Sequence, residues 1–131
     1  MGMFQNTQKI TKIIFEPKTT HNFCPLGQLY CDKMAKNGSK PSLPHYTNHF
    51  KITFIPDKII CDYVDVEEWI HEKINDETLI IEDCVSMLFD YINDTYKPSY
   101  LKVESYVPDA VHGPVTIERE TQDLKGRVIN E

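Results

Sequence analysis

The chain contains no apolar run approaching the ~20 residues needed to span a bilayer, and no apolar stretch near its start resembling a secretory signal. A cytoplasmic protein without membrane contact is therefore expected, with its thiols reduced. Arginine occurs only at Arg119 and Arg127, so a phosphate-reading surface would have to rest on lysine charges or backbone amides. No G-x-G-x-x-G, P-loop, G-x-S-x-G or H-E-x-x-H pattern is present, which removes Rossmann, P-loop, α/β-hydrolase and zincin chemistry from consideration. Internal repeats and low-complexity tracts are also missing.

What is present fits one small globular domain: 131 residues, 40% hydrophobic and 11% aromatic. We assign the domain to residues 1–119 and read residues 120–131 as a polar tail without periodicity. The net charge of -6 is unevenly placed. Residues 1–60 carry eight lysines against Glu16, Asp32 and Asp57, whereas residues 61–131 carry six basic side chains against seventeen acids. Lys18, Lys33, Lys36 and Lys40 surround a loop containing Cys24, where positive charge favours a thiolate.

Residues Gln8 to Glu16 are rich in β-branched side chains and read as a first strand ended by Pro17. Thr19 to Asn48, with Pro25, Gly27, Gly38, Pro41 and Pro44, reads as irregular. A loop that long inside a small domain is either functional or disordered, and the presence of Cys24 and Asp32 favours function. His49 to Ile55 alternates with period two and stops at Pro56, giving a second strand. From Asp65, taken as an N-cap, Val66, Trp69, Ile70 and Ile74 fall at helical spacing. A longer amphipathic helix runs from Ile80 through Ile92 and ends before Pro98. Ser99 to Val107 and Gly113 to Glu118 alternate as two further strands. The order β-β-α-α-β-β predicts an α+β fold, an antiparallel sheet with both helices on one face and unpaired outer edges that oligomerisation would cover.

Three residues stand out chemically. Cys24 precedes Pro25 in an extended loop, where its thiol is presented rather than packed, and Asp32 follows as a nearby acid. Glu82 opens the longer helix, where a carboxylate accepts hydrogen bonds from the N–H groups of a purine-like base. Taken singly, each also has a plainer reading, as an inert thiol or a solvated acid. A second constellation, Cys24, Cys31, His45 and His49, is spaced C-x6-C-x13-H-x3-H, but the cysteine gap exceeds that of a zinc finger and His49 opens a strand, so no metal is expected. His21 and His112 read as surface residues beside turns.

Together these residues resemble the QueF group of the tunnelling fold, which acts on the nitrile of 7-cyano-7-deazaguanine in the queuosine and related 7-deazaguanine pathways. Phe23-Cys24-Pro25, then Gly27-Gln28 and Asp32, is similar to the group's C-P-x-T-G-Q-P-D loop with one extra residue before the aspartate. Glu82-Asp83-Cys84 is similar to its H-E-D-C helix start, with Ile81 in place of the histidine. The resemblance spans roughly residues 15–118. It implies that Cys24 adds to the nitrile carbon to form a thioimide, that Asp32 protonates the nitrogen and that Glu82 anchors the base. It also implies a homo-oligomer closing into a barrel, with active sites at subunit interfaces.

The departures bear on the reaction. The reductases carry an E-S-K-S-L-K-type segment associated with NADPH, and the matching stretch here is Tyr63-Val64-Asp65-Val66-Glu67-Glu68. Acids in place of lysines oppose a phosphate-rich cofactor, and the group's R-G-G is replaced by His112-Gly113-Pro114. The pattern thus resembles the QueF-like branch, which adds ammonia to the same nitrile to give an archaeosine-type amidine and needs no cofactor. The substrate base would be free or within tRNA or DNA. Two alternatives stand beside it: an NADPH-dependent reductase of queuosine synthesis, and a zinc-stabilised or ligand-binding module without catalysis.

Overall fold

The computed structural model describes residues 10–22, 45–110 and 113–121. Its first strand is interrupted but not redirected. β1 (Ile13–Phe15) and β2 (Lys18–Asn22) both pair antiparallel with β3 (His45–Ile55) in one continuous register, with Ile13 opposite Phe54, Phe15 opposite Ile52, Lys18 opposite His49 and His21 opposite Tyr46. Pro17 makes the break. Phe50 N–H donates to the Pro17 carbonyl at 3.0 Å, but proline has no N–H to return. Alternation survives: Pro17, Thr19 and His21 are buried, while Glu16 and Lys18 are exposed.

The expected end of the strand at Pro17 and the irregular stretch from Thr19 to Asn48 are therefore corrected, since residues 18–22 and 45–48 are strand. An edge strand tolerates a proline at the cost of one ladder bond. Counting β1 and β2 as one strand recovers the β-β-α-α-β-β order. β3 next pairs with β4 (Tyr100–Val107), and β4 with β5 (Val115–Glu120), so the sheet is antiparallel throughout. β5 runs two residues beyond Glu118, and Thr121 then donates to the Leu101 carbonyl at 2.8 Å. Residues 122–131 lie outside the described residues.

Between β3 and β4 come α1 (Tyr63–Lys73) and α2 (Ile81–Tyr96). The N-cap of α1 is Asp62 rather than Asp65, because the Asp62 carboxylate accepts from the N–H groups of Val64 at 3.0 Å and Asp65 at 3.2 Å. Tyr63 and Val64 are exposed, so the apolar period starts one turn later than the helix itself. At the far end of α2, Lys97 takes a left-handed φ of 46° and Pro98 prevents continuation.

Both helices cover one face of the sheet. Phe50, Ile52 and Phe54 of β3 and Leu101 and Val103 of β4 pack against Val66, Ile70 and Ile74 of α1 and Val85, Leu88 and Ile92 of α2. The opposite face is polar and forms a groove of about 630 Å³ lined by Lys18, His49, Lys51, Glu104 and Tyr106. The turn between the helices folds over the outer edge of β2, where Asp76 N–H donates to the Thr20 carbonyl at 3.0 Å and the Asn75 side-chain oxygen accepts from the Thr19 hydroxyl at 2.7 Å. The architecture is α+β, with two helices on one side of an antiparallel sheet. Among the described residues, no helix is long and apolar enough to cross a membrane.

Candidate functional site

The helix-facing side of the sheet changes chemistry along its length. At one end its inward residues are Ile13, Phe15, Phe54 and Leu101, all part of or packed against the main core. At the other end three neighbouring strands present His21, Asn48 and Ser105, and each is 0% exposed. His21 Nδ1 hydrogen-bonds the Asn48 side-chain oxygen, and Asn48 Nδ2 donates to the Ser105 hydroxyl at 3.1 Å. A carbonyl oxygen only accepts, so in this arrangement Nδ1 carries the proton and Nε2 is a bare lone pair. Nε2 is buried and has no hydrogen-bond partner among the described residues.

Other elements converge on this end. The Tyr46 ring meets His21 edge-on, with centroids 5.8 Å apart. Tyr46 packs in turn with Val107 and with Ile81, the first residue of α2, so the first turn of α2 is fixed beside the polar cluster. Glu82 lies in that turn, exposed and without a hydrogen-bond or ion-pair partner among the described residues. From the β4–β5 turn, the Asp109 carboxylate accepts from Thr47 N–H at 3.4 Å. Burial holds the His21 imidazole below its ordinary range, against the opposing pull of the Asn48 bond and the Asp109 charge. His21 is thus neutral near pH 7, and the expectation of a surface histidine is corrected.

Cys24 and Asp32 lie outside the described residues, as do Cys31 and His112. The segment that carries Cys24 leaves from the end of β2, directly after His21 and Asn22. The structure therefore sets the root of that segment, the first turn of α2 and the β4–β5 turn at one end of the sheet. Cys61 and Cys84 are buried thiols pushed up to about 12, by desolvation first and neighbouring aspartates second, and are poor nucleophiles at neutral pH. Of the four residues in the zinc pattern, His49 is seen on the open face of β3, and among the described residues no cluster of three ligating side chains could hold a metal.

The acidic stretch 63–68 forms the first turns of α1. Asp65 there accepts from the hydroxyls of Tyr91 at 2.6 Å and Tyr96 at 2.7 Å, while Glu67 and Glu68 remain exposed. Arg119 lies 4.2 Å over the Phe89 ring and pairs with Asp90 at 3.1 Å, so its guanidinium is committed to holding β5 on α2. Sequence reasoning missed the His21, Asn48 and Ser105 cluster. The available signal was the alternation Ile13, Phe15, Pro17, Thr19, His21, which continues through the proline.

No protein-family model matches the chain, and no curated protein matches it. Solved structures do. An archaeosine synthase QueF-Like in its apo form superposes with a TM-score of 0.65 at 10% identity, covering 85% of this chain and 93% of that one. A dihydroneopterin aldolase (FolB) from Vibrio cholerae O1 biovar El Tor gives 0.57 at 16% identity, over 84% and 95% of the two chains. The E. coli dihydroneopterin aldolase in complex with neopterin gives 0.59 at 12% identity, over 86% and 99%. At these identities the likeness is one of fold, and the chain has the tunnelling fold that these proteins share.

Proposed function

We propose that the chain is a QueF-like enzyme that captures the nitrile of 7-cyano-7-deazaguanine on Cys24 and releases it as an amidine. The observation that carries this reading is the meeting, at one end of a tunnelling-fold sheet, of the root of the Cys24 segment with the helix turn bearing Glu82. The fold match to an archaeosine synthase supports it.

The Cys24 thiolate adds to the electrophilic nitrile carbon, and one C–N π bond breaks as the C–S bond forms. Asp32 gives its proton to the nitrogen, leaving a neutral thioimide. Ammonia then adds to the same carbon, the C–S bond breaks as the thiolate leaves, and the Asp32 carboxylate takes back one proton from the added nitrogen, giving the neutral amidine. Nitrile plus ammonia balances to amidine, so no oxidant or reductant is consumed. Glu82, unpaired within the described residues, accepts hydrogen bonds from the N–H edge of the base. The acids of α1 and the engaged Arg119 favour this outcome over NADPH-dependent reduction, because they leave repulsion where cofactor phosphates would need attraction. Glu82 is exposed in the single chain, which suits a site completed by a second copy in a homo-oligomer.

Intact-mass measurement after incubation with 7-cyano-7-deazaguanine tests the reading. The expected result is one covalent adduct on the wild-type chain, none on Cys24→Ala, and its discharge as product when ammonia is added. Absence of an adduct on the wild type overturns the proposal, and steady consumption of NADPH with the nitrile would replace it with the reductase.

A further inference from the structure

A buried acceptor without a donor is costly and is rare in folded proteins. Among the described residues His21 Nε2 is such an acceptor, on a side chain that is 0% exposed. Its orientation is not accidental. Asn48 on β3 engages Nδ1, Ser105 on β4 engages Asn48, and the Tyr46 ring packs against the imidazole edge-on, so residues of two further strands hold one ring nitrogen in place. The cluster also adjoins Ile81, and hence the turn that carries Glu82.

We propose that His21 is a binding residue of this site, its Nε2 lone pair accepting a hydrogen bond from an N–H of the bound heterocyclic base. The inference rests on the 7-deazaguanine reading above and adds a second acceptor to Glu82. The chemistry is complementary: a guanine-type base carries N–H donors on its amino-imino edge and, when free, on its five-membered ring. A neutral imidazole accepts from either without placing a second negative charge beside Glu82. Asn48 makes the arrangement one-directional, because Nδ1 is already used as the donor.

The test uses the full chain with ¹⁵N-labelled histidine. The Nε2 resonance of His21 is expected at the position of an unprotonated ring nitrogen, and saturation with 7-cyano-7-deazaguanine should move it toward the hydrogen-bonded position. Calorimetry with the same base then separates two variants. His21→Gln places its side-chain oxygen where Nε2 lies and should bind within about threefold of wild type. His21→Asn keeps only the donor toward Asn48 and should bind about tenfold more weakly, the loss of one hydrogen bond. Base bound with the Nε2 resonance unmoved, or bound as tightly by a folded His21→Asn, overturns the inference and leaves the proposed function standing. If neither variant folds, the wild-type resonance alone decides. No binding of the base by the wild type overturns both.

Discussion

Tyr96 donates its hydroxyl to Asp65 across 2.7 Å, and Tyr91 reaches the same carboxylate oxygen at 2.6 Å, so one acid near the start of α1 holds two phenols of α2. Trp69 stacks on Tyr91 at 4.9 Å and 13°, extending the tie along both helices. The residue that periodicity marked as a cap is in fact a clasp between helices.

Replacing Asp65 with Ala should therefore cost about 1.5–3 kcal/mol, the range for hydrogen bonds to a charged group, read as a lower urea midpoint at unchanged slope. The tyrosine titration supplies a second readout. Hydrogen bonding to Asp65 pushes the Tyr91 phenol up to about 12, and burial raises that of Tyr96 further. Phenols raised on folding stabilise the native state fully below their ordinary value near 10 and lose that contribution as pH climbs. Alkaline unfolding is thus expected to begin above about pH 10, and Asp65→Asn should bring the ultraviolet titration of Tyr91 back toward that value.

The acid side of the profile belongs to His21. Its imidazole is held below 6.5 by burial, so the folded chain resists a proton that the unfolded chain accepts. Stability should be flat above about pH 6.5 and decline as pH falls beneath it, levelling once the lowered native value is passed. Urea midpoints measured from pH 7.5 down to about 5 would show this slope in the wild type. His21→Gln should flatten it, and an equal slope in that variant would assign the effect to other groups.

Thiol chemistry offers a direct separation of the four cysteines. With Cys61 and Cys84 pushed up to about 12, iodoacetamide near pH 8 should leave both unmodified in the folded chain while labelling Cys24 within minutes. Peptide mapping that finds Cys61 or Cys84 labelled at a comparable rate, without prior unfolding, would contradict the buried setting of these thiols.

Glu82 should matter for binding and not for folding. It is exposed and makes no hydrogen bond or ion pair among the described residues, so Glu82→Gln should leave the thermal midpoint within about 1 °C. Affinity for 7-cyano-7-deazaguanine should fall by roughly tenfold to a hundredfold, the loss of charge-assisted hydrogen bonds to the base. Calorimetric titration of the two proteins at matched pH checks this.

What was legible in the sequence follows from where apolar residues fall. Phe50, Ile52 and Phe54 alternate onto the core, and Ile81, Cys84, Val85, Leu88 and Ile92 repeat at helical spacing, so β3 and α2 declare themselves. β2 does not, because its inward residues are Thr19 and His21 and a proline precedes them. α1 was read one turn late for the converse reason, its opening residues being apolar yet exposed. Glu82 could be singled out because a helix start places it. The polar cluster could not: His21 and Asn48 are 27 positions apart, Asn48 and Ser105 57 apart, and only strand register makes them neighbours.

The turn between the helices also works as a stopper. Thr20 points its N–H and carbonyl away from β3, where a further strand would dock, and both are already engaged by Asn75 at 3.5 Å and Asp76 at 3.0 Å. Along that border a foreign strand finds a rung missing, whereas among the described residues no strand pairs with the outer rim of β5. A sheet with two open borders can be extended indefinitely by stray β-segments. Here a neighbouring strand that docks along β1 and β2 must pair on either side of Thr20 or displace the turn, so the turn restricts the register in which another copy can join.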